Sequence, residues 1–578
     1  MTAKTFITGK DAALEDSIQR LRSSIEALGF HIEEARWLNP APYIWSVHIR
    51  DRDCPQVFSN GKGASREAAL ASAYGEMIER LSTRYLWADF NLAPAMAQFG
   101  FVHQQDEVWL AADDHLPEHV LDERTRALYD PEGKLTLSML KDVNSGDTGK
   151  GACLLPYNRL SDGSTVLFPV NLIANQFVSN GMSAGNTREE ALVQGLSEIF
   201  ERAIKQRILR EAITLPEVPD ALLAERFPHI REGLHALIAS GYPVRALDAS
   251  LGGRYPVMCV VLQNPHDGGV YASFGAHPSF EVALERALTE LLQGRALDEL
   301  EGFPAPTANM DLVEDPHNME LHFIDSSGYV SWALLGNEPD FAFADWNDNR
   351  HNAALSDALI ALLAEEGHDV YLAEYTALGA YACRILVPGF SDIYLPDELY
   401  WNNNNQALPF YKTLMQLPSA SDDELEALLE GLEQNAVNDQ LRVLEWIGIV
   451  GDKGTPWASL RISELKLWLM LALGLLDEAS DQVAMVLGSG DVSSARRQLL
   501  CAVRDVLELT LCEAELDHYQ RALIGYHGKA QLQRAIALVE GEQRFPDLTA
   551  MSASAPTAAH QRLLEAYIKV LKGQQAVQ

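Results

Sequence analysis

Residues 65–80 read SREAALASAYGEMIER, residues 187–202 read TREEALVQGLSEIFER, and residues 279–294 read SFEVALERALTELLQG. The three stretches align without gaps. Each opens with Ser or Thr, a natural helix N-cap. Each then places Glu at its third position, Ala-Leu at its fifth and sixth, and Glu at its twelfth, which gives Glu76, Glu198 and Glu290. Three residues further on stand Glu79, Glu201 and Gln293, and Arg80 and Arg202 follow in the first two copies. Ahead of each helix lie a strand-like run and a glycine-bearing turn: FSNGKGAS, VSNGMSAGNT and ASFGAHPS. The sequence therefore predicts one strand–turn–helix unit used three times. Three such units in one sheet would bring their helices together.

Helical geometry says where the acids point. Seven residues make almost two turns, so Glu76 sits over Ala69, Glu198 over Ala191 and Glu290 over Ala283. Small residues (Ser72, Gly195, Ala287) line the same stripe, and the neighbouring stripe is apolar: Leu70, Ala73 and Met77 in the first helix, with counterparts in the others. The acids thus border the buried face. Glutamates three residues apart repel, and several in one cleft have their pKa values raised unless a cation neutralises them. Oxygen-only ligands with no nearby histidine or cysteine suit a hard ion such as Mg2+.

A single ExxER on one helix is an ordinary ion-paired surface, and only its gapless recurrence beside small residues favours a site. Glu67 and Glu189 read as acids complementing the helix dipole, and Glu190, three residues after Thr187, reads as part of a capping box. The turns NGKGAS and SNGMSAGNT offer glycines, hydroxyls and a helix N-terminus, a combination that binds anions. Lys10, Lys62, Arg80, Arg202 and Arg286 are available to phosphates. Together these features read as a nucleotide–Mg2+ site without a P-loop, since neither GxxxxGK[ST] nor a strand-linked GxGxxG occurs. HExxH and GxSxG are absent too, and no residue is singled out as a base or nucleophile.

Outward from the repeat, Leu14, Ile18, Leu21, Ile25 and Leu28 predict an opening helix stopped at Gly29. Ile44–Arg50, Thr165–Ile173 and Pro256–Leu262 predict strands. Residues 1–410 are expected to form an α/β (α+β) body. Asn402–Asn405 with Gln406 reads as a polar loop. Residues 415–578 are expected to form a separate all-helical domain, built on runs such as Leu465–Leu476 and suggestive of tetratricopeptide-like hairpins. The apolar excess around Trp468 predicts packing on the body or on a second copy, a homodimer.

A net charge of −36 over 578 residues argues against nucleic-acid or membrane-surface binding. Six scattered cysteines without CxxC, and no apolar leader or long greasy run, point to a cytoplasmic protein.

The stretches GKGASREAALASAYGEMIER, SNGMSAGNTREEALVQGLSEIFER, ALERALTELLQGR and ACRILVPG resemble the YcaO family over about residues 1–410. The full length is similar to family members that carry a helical C-terminal domain. The resemblance implies ATP bound through a non-P-loop fold, with Mg2+ ions held by Glu76, Glu79, Glu198, Glu201 and Glu290. It implies nucleotide contacts from Lys10, Ser17, Ser72, Arg80, Ser183, Asn186, Arg202 and Arg286. It also implies activation of a peptide amide by phosphorylation of its carbonyl oxygen. Azoline-forming members end in a PxPxP tail, whereas this chain ends AYIKVLKGQQAVQ, so azoline synthesis is not expected. The form with a helical C-terminal domain implies a role beside a radical methylthiotransferase acting on a small-subunit ribosomal protein. Two functions follow: an ATP-hydrolysing, amide-activating enzyme, or an ATP-binding accessory scaffold that docks a partner through its helices.

Overall fold

A computed structural model describes residues 4–92, 99–145, 149–394, 404–488, 492–552 and 556–575. The opening helix α1 spans Leu14–Ala27, and Gly29 follows at φ +90°, a left-handed stop that suits glycine. Strands β1 (Ile32–Ala41), β2 (Ile44–Asp51) and β3 (Phe58–Gly63) form an antiparallel sheet in that order. Helix α2 (Arg66–Thr83) follows directly. A six-stranded sheet comprises β4 (Val108–Leu110), β5 (Ala152–Arg159), β6 (Thr165–Pro169), β7 (Met182–Gly185), β11 (Tyr371–Tyr375) and β12 (Tyr381–Leu386). Its path is β4-β5-β11-β12-β7, with β6 on β5. The third sheet runs β10-β9-β8, from Val270–Ala276, Val257–Gln263 and Val244–Asp248.

Every strand pairing within these sheets is antiparallel, so the body is α+β. The strand expected over Thr165–Ile173 ends at Pro169. Beyond it, Val170–Leu172 turns helical and Ile173–Phe177 makes a π-helical turn.

The three repeat units do not share a sheet. β3, β7 and β10 belong to three different sheets and lie at an edge of each. They are joined through their helices: α2, α3 (Arg188–Arg210) and α4 (Phe280–Leu291). Helix α2 packs on β3 and on β7, α3 on β7 and on β10, and α4 on β10 and on β3. Each helix thus covers its own strand and the strand of the next unit, which closes a ring.

The close strand–helix approach has one steric solution in two forms. A Cβ on Gly61 would lie 2.0 Å from the Ala69 carbonyl oxygen, and one on Gly275 would lie 2.4 Å from the Ala287 nitrogen. In the middle unit the strand position is Ser183, and the helix residue facing it is Gly195, whose added Cβ would lie 2.9 Å from Ser183 Oγ. One partner of each pair must be glycine.

The region after residue 404 opens with the short 3-10 helix Asn404–Phe410; of the polar tract Asn402–Asn405, residues 402 and 403 lie outside the described residues. It continues with α5 (Asp422–Gln434), α6 (Ile462–Ala472), α7 (Leu476–Gly488), α8 (Ser494–Leu511), α9 (Leu516–His527) and α10 (Lys529–Val539). No strand occurs there among the described residues.

These helices share one core, and Leu465, Leu467, Trp468, Leu469 and Leu471 are buried inside it. The apolar run that suggested a second copy is covered within the chain. The last helix, α11 (Ala558–Gln575), leaves that core. Its Leu563, Leu564, Tyr567 and Val570 pack with Leu21, Ile25 and Trp87 of the body. Trp87 Nε1 donates to Leu563 O (3.2 Å), and the Trp87 and Tyr567 rings lie 5.2 Å apart.

Candidate nucleotide and metal site

The three helices begin as the N-cap pattern requires, with one exception. Ser65 Oγ accepts from Ala68 N at 3.1 Å, and Thr187 Oγ1 accepts from Glu190 N at 3.1 Å. Ser279 makes no such bond. In the third unit Phe280 N donates instead to Asn347 Oδ1 (3.0 Å), so the cap comes from a distant loop.

Glu190 does not close the expected capping box. Its carboxylate accepts from Asp11 N (2.9 Å) and from Asn186 Nδ2 (2.8 Å), and it pairs with Lys10 (3.2 Å). Ser17 Oγ and Arg20 Nη2 both donate to Asn186 Oδ1, at 2.8 and 2.7 Å. One buried acid therefore ties the N-terminal loop to the turn that starts α3.

At the centre of the ring the acids of α2, α3 and α4 converge with cations. Arg80 lies 3.6 Å from Glu76 and 3.5 Å from Glu79. Arg202 lies 3.0 Å from Glu198. Lys62, on β3, crosses to pair with Glu290 of α4. Arg286 Nη1 donates to Gln194 Oε1 of α3 at 2.7 Å. Glu201 has no ion-pair partner among the described residues, although its charge is felt at Lys62. The tips line a cleft deep in the molecule: the Glu76 side chain keeps 31% of its surface open and Glu79 keeps 12%.

The electrostatics follow from that enclosure. Burial pushes the Glu79 carboxyl up to about 8; Arg80 opposes this, and the charges of Glu198 and Glu76 reinforce it. Glu76 is raised for the same first reason, with Arg80 and Lys62 opposing. Burial also pushes the Lys62 ammonium down to about 8, against the pull of Glu201, Glu76 and Glu198. The acids feel one another across helices, so they face one space. Their donor set is oxygen only and under-neutralised, which suits a hard divalent cation, and among the described residues no three of these carboxylates lie within 4.8 Å of one another. Among the described residues four of the five carboxylates are paired directly, with Arg80, Arg202 and Lys62 as their cations, and Glu201 is not.

Of the remaining residues implied by resemblance, Ser72 is exposed on α2, Lys10 and Asn186 meet at Glu190, and Arg286 of α4 bonds Gln194 and acts on Lys62. His277 beside them is held down to about 3 by burial, with Arg286 and Lys10 adding to the effect. Ser183 is fully buried: its hydroxyl donates to Ala191 O (2.7 Å) and meets Cys383 Sγ at 3.2 Å. Sequence reasoning missed Asp11, Arg20 and Gln194 as parts of this site. Gln194 was accessible, because it occupies the repeat position held by Ser72 and Arg286 in the other two units. No helix among the described residues is long and apolar enough to cross a membrane.

A family model described as "YcaO cyclodehydratase, ATP- and Mg2+-binding" matches residues 60–391, and "YcaO cyclodehydratase C-terminal domain" matches residues 407–576. The ribosomal protein S12 methylthiotransferase accessory factor YcaO of Escherichia coli is 47% identical over 582 residues, 99% of each chain. An uncharacterized protein of Haemophilus influenzae is 47% identical over 581 residues, again 99% of each. Among solved structures, YcaO from Methanopyrus kandleri bound with AMPPCP and Mg2+ aligns with TM-score 0.42 and 20% identity, over 68% of this chain and 95% of that one.

Proposed function

The chain belongs to the YcaO family, described as ATP- and Mg2+-binding, and from that premise we propose that it hydrolyses ATP to activate a backbone amide. The acceptor's carbonyl oxygen takes the γ-phosphoryl group as the β–γ phosphoanhydride bond breaks and ADP leaves, in the service of modifying a small-subunit ribosomal protein. The observation that carries this reading is the convergence of repeat acids from three helices on one cleft, rimmed by Lys10, Lys62, Arg80, Arg202 and Arg286.

An amide oxygen is a weak nucleophile, so the protein's task is to position it and to neutralise charge on the transferring group. Glu76, Glu79, Glu198, Glu201 and Glu290 would hold Mg2+, which supplies charge neutralisation on the triphosphate. Arg80, Arg202, Arg286 and Lys10 would bind phosphate oxygens, and Ser17, Ser72 and Asn186 would complete the polar contacts. Ser183 would act from behind, holding α3 against its strand.

The Escherichia coli relative's name includes "methylthiotransferase accessory factor", and this favours a second reading in which ATP binding serves docking without bond chemistry. Residues 415–578 would then carry the partner surface. One measurement separates the two. Purified protein with Mg2+ and ATP is assayed for phosphate and pyrophosphate, alone and with a methylthiotransferase and its ribosomal substrate. Phosphate release that EDTA abolishes supports the enzyme. Saturable Mg-ATP binding without any turnover in either mixture supports the scaffold, and absence of Mg-ATP binding by calorimetry refutes both.

A further inference from the structure

A second cavity, of about 190 Å³, opens beyond the C-terminal end of α2. Its walls come from that helix end, the segment around Lys141, the π-helical turn Ile173–Phe177, β12 and Tyr567 of α11. Two arginines face it, Arg84 and Arg384, with 4% and 7% of their surface exposed.

Arg84 Nε donates to His103 O (3.3 Å) and Nη1 to Leu81 O (3.1 Å), while Nη2 has no partner. Arg384 Nη2 donates to Ile173 O (3.2 Å) and to Val178 O, while its Nε has no partner. Neither guanidinium has a carboxylate within ion-pair distance among the described residues; Arg84 lies 5.8 Å from the Tyr567 ring, and the two unpaired nitrogens sit within the wall, closed off from solvent. Buried arginines are ordinarily paired, and an unpaired buried donor is heavily penalised.

The backbone is bent to bring these groups there. Arg84 sits in the left-handed region at φ +65°, and Val178 has φ +50° with ψ −112°, both positive-φ conformations unusual for residues with a Cβ. The π-helical turn re-aims Asn175 and its neighbours. Helix capping accounts for the Arg84 bond to Leu81 O, but not for the unpaired nitrogens.

The charge around the cavity is positive. Lys141 adds a third cation to the wall. Asp142 is committed to His103 and to Ser145 N (2.7 Å), and Asp89 stands at the exposed rim. Burial lowers the Arg84 guanidinium to about 10, which leaves it charged at neutral pH. In a chain of net charge −36 this pocket is an electrostatic exception.

We propose that this cavity binds a small oxyanion, a phosphate or a carboxylate, gripped by Arg84 and Arg384 and separate from the acid-lined cleft. A planar guanidinium fork matches the oxygen geometry of either group. The two sites share the α2 wall, with Arg80 one turn before Arg84, but the proposal does not depend on the nucleotide reading.

The test uses the full-length protein in EDTA. It is titrated by calorimetry with inorganic phosphate and, in a second arm, with malonate, against chloride at equal ionic strength. Saturable binding of either anion is expected, and the tighter arm identifies the class. Arg384→Gln should weaken it by about tenfold or more, whereas Arg504→Gln, on the exposed face of α8, should leave it unchanged; Arg202→Gln reports on any anion held in the cleft. Near-UV circular dichroism checks folding. If Arg384→Gln is not folded, Arg384→Lys keeps the charge, removes the fork, and must itself weaken binding by about tenfold. The proposal is overturned if neither anion saturates in the wild type. It also falls if binding survives the Arg384 substitution, or if the loss follows Arg202, which would place the anion in the cleft.

Discussion

The exchange of glycine between strand and helix predicts a compensating pair. In the middle unit Gly195 faces Ser183, whereas the first unit has Gly61 facing Ala69 and Ala73, and the third has Gly275 facing Ala283 and Ala287. Gly195→Ala places a Cβ 2.9 Å from Ser183 Oγ and 3.0 Å from Ile385 Cδ1. Overpacking of this kind costs about 1–3 kcal/mol, against about 1 kcal/mol gained in helix propensity. Net destabilisation of about 0–2 kcal/mol follows.

Ser183→Gly loses the bond to Ala191 O, about 1 kcal/mol, and adds strand-glycine entropy of about 0.5–1 kcal/mol. In the double variant the clash with Oγ is gone and the propensity gain remains. Apart from the overpacking on Ile385 Cδ1, which both Gly195 variants share, its loss should be about 0.5–1 kcal/mol, less than the sum of the singles by up to about 3 kcal/mol. The four proteins are compared by urea denaturation, following the same tryptophan-fluorescence transition. Additivity within about 0.5 kcal/mol would refute the steric account of the ring.

Glu201→Gln and Glu76→Gln should each reduce Mg-dependent ATP turnover by about 100-fold or more with far-UV and near-UV circular dichroism unchanged. Undiminished phosphate release from both would remove the metal reading. Deleting residues 558–578 should expose Trp87, Leu21 and Ile25 and destabilise the N-terminal body, seen as a red-shifted tryptophan emission and a lowered melting temperature. An unchanged melting temperature would mean that α11 only rests on the body.

Asp392→Asn tests a buried acid. Burial raises its carboxyl to about 6, although Tyr129 Oη and Gly389 N donate to it. The native state therefore holds the proton more tightly than the unfolded chain, and wild-type stability should fall as pH rises from about 4 to 6. Asn mimics the protonated acid, so the variant should lack that fall. Parallel pH profiles for the two proteins, measured by urea midpoint, would contradict it.

What was legible in the sequence was local and periodic. The N-caps at Ser65 and Thr187, the stop at Gly29, and the helix faces carrying Glu76, Glu198 and Glu290 all follow from spacing. What was not legible depends on partners far away in the chain. Ser279 satisfies the cap pattern, yet Asn347 supplies the bond. Glu190 fits a capping box, but Lys10 and Asp11 compete successfully for its carboxylate. The run Leu465–Leu471 is apolar apart from Lys466, which reaches Asp439 (2.7 Å), because its other residues are buried within one core, a condition that periodicity does not distinguish from an unpartnered face. The strand at Thr165 stops at Pro169, where the chain turns helical at Val170–Leu172 and then π-helical at Ile173–Phe177.

The ring also explains why the third unit is degenerate. Three identical units would surround the cleft with a symmetric set of Glu-x-x-Glu-Arg faces and more negative charge than their own arginines could balance. The third unit instead has Gln293 and Gly294 where the others have Glu and Arg, and it brings Arg286 to the position of Ser72 and Gln194. One neutral amide, Gln194, then holds that arginine at 2.7 Å, with no acid in the pair. Two walls of the cleft thus carry paired acids, and the third carries Glu290 together with an available cation. A linear triphosphate with metal at one part of its length and bare oxygens at another requires that kind of polarity, and a three-fold symmetric cage would not give it a direction. Replacing Gln194 by Glu would pair Arg286 with a carboxylate and withdraw it from phosphate oxygens. Affinity for Mg-ATP measured by calorimetry should then fall by about tenfold while the five glutamates remain in place; unchanged affinity would show that Arg286 is not the cation that gives the cleft its direction.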